Sequence, residues 1–412
     1  RQDRRVRRSS QRCCSLNLLT QPLAQAQKIS VFWAFLTAHR FLQSDRCKIK
    51  FVKNSMIIVG GGIGGLAAAL ACGLVGARPR VLERAANFSE VGAGIQLSPN
   101  VTRTLHAWGL AEELKGIGFE PRKLEAKDAQ TGHVIGSLPL GQRSQEIYGA
   151  PYFTVHRADL HRLLLQKIKS SGLADLSLHC QVDEVIELDP MRVSVLQLAT
   201  GVREVFETDA MVGADGLWSV TRQMVVPSTP PRVTGLLAYR ALVPMQSIPE
   251  KLRLKDVNVW LGPRLHAVLY PVQGGDFLNM VIVVQGPLPS AMEEWDHAAN
   301  KQDLEAAMGP AHPHLKELIG AAPAWRLWPL CDRAPMQGPH EMAKGRIALL
   351  GDAAHPMRPF LAQGAGMAIE DAAELAKSWS RKDMPVADRW NAYAHARWAR
   401  NAQVQQRSIR NG

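Results

Sequence analysis

Apolar residues along this chain recur with three spacings, and each predicts a different element. A continuous run, Met56-Ile57-Ile58-Val59, has the length of a strand buried on both faces and stops at glycine. The Ala- and Leu-rich stretch 66–74 then reads as a helix, and Val81-Leu82 closes a second short strand. Helical spacing returns at 101–108, stopped by Gly109. It returns again at Leu160, Leu163, Leu164 and Ile168, behind His156-Arg157-Ala158-Asp159, where Asp159 is a candidate cap. Alternating patterns near 176–188 and 193–205 predict antiparallel strands. Further strand-like runs, at 236–243, 257–261, 267–270 and 277–284, are separated by Pro and Gly and accompanied by one helix over 293–308. The buried run Ile347-Ala348-Leu349-Leu350 brings back the first spacing, and 397–412 reads as a helix. This order predicts an α/β nucleotide-binding domain into which a mixed β-sheet domain is inserted.

Charge changes this picture less than its total implies. The formal charge is +12, but residues 1–55 hold 12 Lys/Arg and 2 Asp, so the remainder is nearly balanced. The basicity belongs to a leader that is either a mitochondrial-type transit peptide or translated upstream sequence, with Met56 the natural start. The leader is expected to be unstructured or not native. A nucleic-acid partner is not expected for the body, and its tryptophans are scattered through core and rim rather than set out as a stacking platform. The apolar run 29–38 is too short to span a bilayer, so no membrane partner is expected. Cys72, Cys180 and Cys331 show neither C-x-x-C nor zinc spacing, which fits reduced thiols in a cytoplasmic protein. No metal is assigned.

Candidate chemistry begins where the first strand ends. Gly60, Gly62 and Gly65 have the G-x-G-x-x-G spacing: one glycine for the tight turn, one for close approach of a pyrophosphate, one for close helix packing. Glu83 ends the next strand, where a carboxylate can accept hydrogen bonds from ribose hydroxyls. A second motif, Gly213-Ala214-Asp215-Gly216, places a carboxylate in a turn. In a third, Gly351-Asp352-Ala353-Ala354-His355-Pro356 leads to Gln363-Gly364-Ala365-Gly366, where a glycine loop starts a long helix whose amides can hold an electron-rich group. His355 reads as a structural histidine of that turn.

With these three ordered motifs, residues 56–412 resemble the class A flavoprotein monooxygenases of the para-hydroxybenzoate hydroxylase fold. The wording at Gly92-Ala93-Gly94-Ile95-Gln96, His156 to His161 and Ala362-Gln363-Gly364 is nearest to the salicylate, 3-hydroxybenzoate and 6-hydroxynicotinate hydroxylases. The resemblance implies a Rossmann-type FAD-binding domain interrupted by a mixed β-sheet substrate domain, with boundaries at 56–230, 231–330 and 331–412. It further implies FAD over Gly60, Gly62 and Gly65, with the adenosine end on Glu83 and Arg84. Arg157, Asp215 and Asp352 would contact the flavin chain and pyrophosphate, while Gly364 and Gly366 would face the isoalloxazine. NADH or NADPH would reduce the flavin, O2 would add to give a C4a-hydroperoxide, and a bound phenolic ring would attack it.

Candidates for activating the substrate are His266 and Tyr270, four apart and so on one face of a strand. Gln96, Tyr239, Pro356 and Met357 are candidate substrate contacts, and Arg240 or Arg358 a carboxylate partner or a structural ion pair. Some relatives carry His at the position of Gln96 or of Leu269, which leaves the identity of the base open. The expected partners are a small phenolic or heteroaromatic acid and O2, with the protein a monomer or homodimer. A non-oxygenating flavin reductase or dehydrogenase, or an inactive FAD-binding protein, stands as the alternative.

Overall fold

Six strands in the order Ala343–Lys344, Ile347–Leu349, Ala210–Gly213, Ser55–Val59, Arg78–Leu82 and Asp175–Ser177 form the sheet that carries the glycine turn. All neighbours are parallel except the edge strand Ala343–Lys344. Parallel strands are covered on both faces, hence the unbroken apolar runs at 56–59 and 347–350. The computed structural model describes residues 49–51, 55–88, 92–186, 188–227, 230–287 and 297–412. Residues 1–48, most of the expected leader, lie outside them.

The leader does not end where the sequence placed its boundary. Ile49–Phe51 pair in parallel with Arg203–Thr208, and Ser55, whose N–H is held by Asp209 at 3.0 Å, already belongs to the first strand. The strands Cys180–Ile186, Met191–Gln197 and Arg203–Thr208 form the predicted antiparallel layer.

The helix Ile63–Leu74 is almost wholly buried because its Gly and Ala residues let the later helix Gly364–Trp379 lie directly against it. A Cβ on Gly64 would meet Leu350 at 2.9 Å and Ala368 at 3.4 Å. The long C-terminal helix Val386–Arg410 packs against Gly364–Trp379 in turn.

An eight-stranded sheet forms the second layer. Its central strands are Arg232–Pro244, Phe277–Gln285, Leu265–Val272 and Val257–Gly262, each longer than the apolar run that predicted it. One face packs Leu237, Ala241, Met280, Ile282 and Leu269 against the helices Lys301–Met308 and Pro313–Gly320. The helix expected over 293–308 begins at Lys301, capped by Asn300, whose side chain accepts the Asp303 N–H at 2.7 Å; residues 288–296 lie outside the described set.

The sheet also recruits two strands from far earlier in the chain. Lys123–Asp128 pairs in parallel with Val257–Gly262, and Val134–Pro139 lies outside it. The sheet therefore does not respect the expected boundary at 231. The polar, one-sided pattern of 123–128 hid it, because an intermediate-burial strand carries no apolar run. Ile49–Gly412 form one compact unit that holds separate cores under the nucleotide sheet and under the eight-stranded sheet.

Candidate active site

The glycine turn has the geometry its spacing predicts. Gly60 has φ +106°, and a Cβ there would press on the Ala214 carbonyl group, whose carbon would lie 2.8 Å away. A Cβ on Gly65 would clash outright with the Gly60 carbonyl oxygen. Gly62 then opens the helix with no side chain capping it and no acidic residue in its first turn. The positive helix end is left for an outside anion.

Glu83 braces this turn from the next strand: its carboxylate accepts the N–H of Gly61 and of Ala85, each at 2.7 Å. Its position at the strand end matches that expected for the ribose acceptor. Arg84, one residue on, is solvent-exposed and lies outside the cavity lining.

A second uncapped helix start faces the same space. Gln363 precedes Gly364–Trp379, and again no side chain caps the first amides and no acid occupies the first turn. Gly62, Ile63, Gly64, Gly364 and Ala365 line one cavity of about 310 Å³ together with Arg157, Asp352 and Gln96. Gly366 lies one step behind, where a Cβ would meet Val101 at 3.0 Å, so it serves packing; Ala365 holds the lining place instead.

Asp215 is committed elsewhere. It accepts Ser219 Oγ at 2.5 Å and the N–H groups of Val220 and Thr221 at 2.9 and 3.0 Å, so its carboxylate braces its own turn. Its neighbours Ala214 and Gly216 reach the cavity. Arg222 ties this turn to the third motif by donating to the carbonyls of Ala353 and Ala354 at 3.2 and 2.7 Å.

The opposite wall is the free face of the eight-stranded sheet. Arg240, Val281 and Val268 sit side by side across three strands and all line the cavity, and Tyr270 lies two residues beyond Val268. The Arg240 guanidinium lies 3.8 Å over the Trp328 ring, which fixes its plane. Burial raises the Tyr270 phenol well above its ordinary range, against the opposing pull of Arg240 and a hydrogen bond with Gln96. Gln96 also accepts a short hydrogen bond from Tyr152. Gln96 thus links Tyr152 and Tyr270, the two tyrosines of this wall.

Two expectations for this wall fail on strand alternation and loop packing. Tyr239, next to Arg240, points the other way and is buried in the core beneath the helices, so it cannot touch a substrate. Pro356 gives its carbonyl to Gln405 and is buried behind Met357, which does line the cavity. His266 shares the sheet face of Tyr270 but meets the edge of the Phe360 ring, 5.0 Å between centroids, outside the lining. Burial lowers its pKa to about 4, so the imidazole is neutral and an acceptor. Arg358 lines the cavity while bonded to Asp332 at 2.8 Å, an ion pair of the structural kind.

His355 is structural. It is buried against Asp371 at 2.5 Å, where Arg397 and the Gly351 N–H also converge. Burial pushes the Asp371 carboxyl upward, but His355 and Arg397 outweigh it and hold it well below the usual carboxylate range. Sequence reasoning missed Tyr152, Val281 and Trp328. None sits in a motif, and only the strand pairing and folding of the chain bring them to this wall. Among the described residues, no cluster of three His, Cys, Asp or Glu side chains could hold a metal ion.

Two uncapped helix starts and a glycine turn that excludes any Cβ fit the pyrophosphate and flavin of a dinucleotide, with a cationic sheet wall across from them. This is the site of a dinucleotide-binding flavoprotein. A family profile described as "FAD binding domain" matches residues 53–408. The chain is 39% identical over 352 residues to 3-hydroxybenzoate 6-hydroxylase 1 of Aquipseudomonas alcaligenes, covering 85% of this chain and 87% of that protein. It is 35% identical over 330 residues to 6-hydroxynicotinate 3-monooxygenase of Bordetella bronchiseptica, covering 79% and 82%. Among solved structures, Klebsiella pneumoniae HpxO complexed with FAD and uric acid superposes with a TM-score of 0.74 at 25% identity, over 87% of each chain. The chain belongs to this FAD-binding family, and within it to the FAD-dependent aromatic-ring monooxygenases. It is an enzyme that uses FAD with NAD(P)H. No helix among the described residues is long and apolar enough to cross a membrane.

Proposed function

We propose that this enzyme hydroxylates a small phenolic or heteroaromatic carboxylic acid with O2 and NADH or NADPH. The observation that carries the reading is the sheet wall: Arg240, flat on Trp328, and Tyr270, oriented by Gln96, face the Gly364 helix start across about 310 Å³. Bound FAD supplies the redox chemistry, taking reducing equivalents from the nicotinamide and activating O2.

The chain's own residues do the rest. Gly62 and the amides after it hold the pyrophosphate, Glu83 the ribose end, and Arg157 and Asp352 the intervening chain. The amides of Gly364 and Ala365 stabilise negative charge on the flavin edge. Arg240 anchors the substrate carboxylate through charge-assisted hydrogen bonds, and the Tyr270 O–H donates to an anionic oxygen. His266, on the same sheet face but packed against the edge of Phe360 outside the lining, is too weak a base to take a phenolic proton and shapes this end of the wall instead. Val268, Val281 and Met357 keep water from the reacting carbon.

Cys72, Cys180 and Cys331 are free thiols, with Cys72 pushed up to about 12 by burial, which supports a reducing, cytoplasmic setting. The test is nicotinamide oxidation by the full chain with FAD, across hydroxybenzoates and hydroxypyridine carboxylates, with product and hydrogen peroxide quantified together. Stimulated oxidation with product close to nicotinamide consumed is the expected result. Tight FAD binding with every compound leaving the rate at baseline would sink the aromatic-acid assignment.

A further inference from the structure

The segment from Pro356 to Leu361 forms the cavity wall between the two flavin-facing motifs, and it has little structure of its own. Met357, Arg358 and Pro359 line the cavity. At its end Ala362 has φ +52°, a left-handed conformation that is strained for an alanine and persists only when its surroundings impose it. The last helix packs against the segment just before it.

Three points of contact repeat at every second residue of the wall. Gln405 Nε2 donates to the Pro356 carbonyl at 3.1 Å, and Ser408 Oγ donates a short hydrogen bond to the Arg358 carbonyl. Gly412 lies so tightly against the Phe360 ring that no side chain would fit there. The carbonyls of 356 and 358 thus face the helix, while Met357 and Arg358 line the cavity on the other side. On the helix, 405 and 408 are three apart and share one face, and Gly412 lies just beyond its end.

That face is polar where an apolar one would be expected. Arg397, Asn401, Gln405 and Ser408 are all buried, and each has partners. Gln405 also accepts the Met336 N–H at 3.1 Å, so both ends of its amide are used. Arg397 and Asn401 grip Asp371 at 2.8 and 3.0 Å, which fixes the helix against His355 at the wall's beginning. A buried polar row is satisfied in only one register, so it sets position where apolar packing would let the helix slide.

We infer that Gln405 and Ser408 are positioning residues: the C-terminal helix acts as a clamp that holds the Pro356–Arg358 backbone and so sets the shape of the substrate wall. The kinetic part of this inference rests on the hydroxylase reading; the structural part does not. Phe360, held from behind by Gly412, transmits the clamp to His266.

The test uses the full chain, with Ser408→Ala, Ser408→Thr and Gln405→Met. Hydrogen exchange in the wall amides, Met357 to Gln363, is expected to quicken about fivefold in Ser408→Ala, the effect of losing one buried hydrogen bond. Exchange at the Gly60–Gly65 turn and FAD affinity should stay unchanged, and Ser408→Thr should restore protection. In turnover, the alanine variant should raise KM and the peroxide fraction with kcat little altered. Unchanged exchange in the wall, or equal loosening at the glycine turn, would overturn the clamp in favour of a general role in stability. If the wild type itself shows no substrate-stimulated oxidation, the hydroxylase reading fails, and hydrogen exchange still decides the clamp.

Discussion

The two walls of the cavity are built on opposite principles. The phosphate side is backbone: Gly62 and Gly364 offer amides at uncapped helix starts, and Gly60 and Gly65 hold the turn in a shape that a Cβ would break. The sheet side is side chain: Arg240, Val281, Val268 and Tyr270 come from three strands and owe their meeting to register. At Gly60 and Gly65 the backbone wall tolerates no side chain, and it accepts one ligand for every substrate. A side-chain wall can be re-cut residue by residue without disturbing the cofactor, which is how one fold serves many reactions.

The sharpest way to break this contrast is at Gly65. Gly65→Ala puts a methyl on the Gly60 carbonyl, and overpacking of this kind should weaken FAD binding by about a hundredfold. Flavin fluorescence titration measures it; near-native FAD affinity would mean that the turn yields. Arg240→Met should do the reverse, leaving FAD affinity as it is while raising KM for a hydroxybenzoate by about thirtyfold, the loss of a charge-assisted contact. Arg240→Lys should not rescue it, since a lysine lacks the planar group that lies on Trp328. Tyr239→Phe, one residue away but on the far face, serves as the control and should leave KM unchanged.

A smaller effect concerns His266. Its folded-state pKa, about 4, lies below the ordinary 6.5, so its stabilising contribution is complete above pH 6.5 and is lost as pH falls toward 4. Thermal melts across that window should fall more steeply for the wild type than for His266→Asn. Parallel curves would show that His266 is charged in the fold.

How much of this the sequence discloses follows from the same division. Backbone demands leave marks in sequence where only glycine meets them, as at the phosphate turn and the Asp-Gly turn, so these could be read in order along the chain. The sheet wall leaves none. Tyr239 and Arg240 are adjacent in sequence and equally plausible as contacts; only the pleat sends one to the core and one to the cavity. Tyr152 and Trp328 gain their roles through partners distant in the chain. His355 could be read as structural because its motif is a turn, but its partner Asp371 emerges only when the last two helices pack. Lys123–Asp128 was missed for a simpler reason: a strand of intermediate burial on every residue offers no apolar period to detect.

The strand order of the nucleotide sheet has a consequence for synthesis. Ile347–Leu349 pairs with Ala210–Gly213, and no earlier strand takes that place. While the chain emerges from the ribosome, the edge of Ala210–Gly213 therefore waits through more than a hundred residues for its neighbour. An apolar strand edge left open for so long is a site where mispairing can begin.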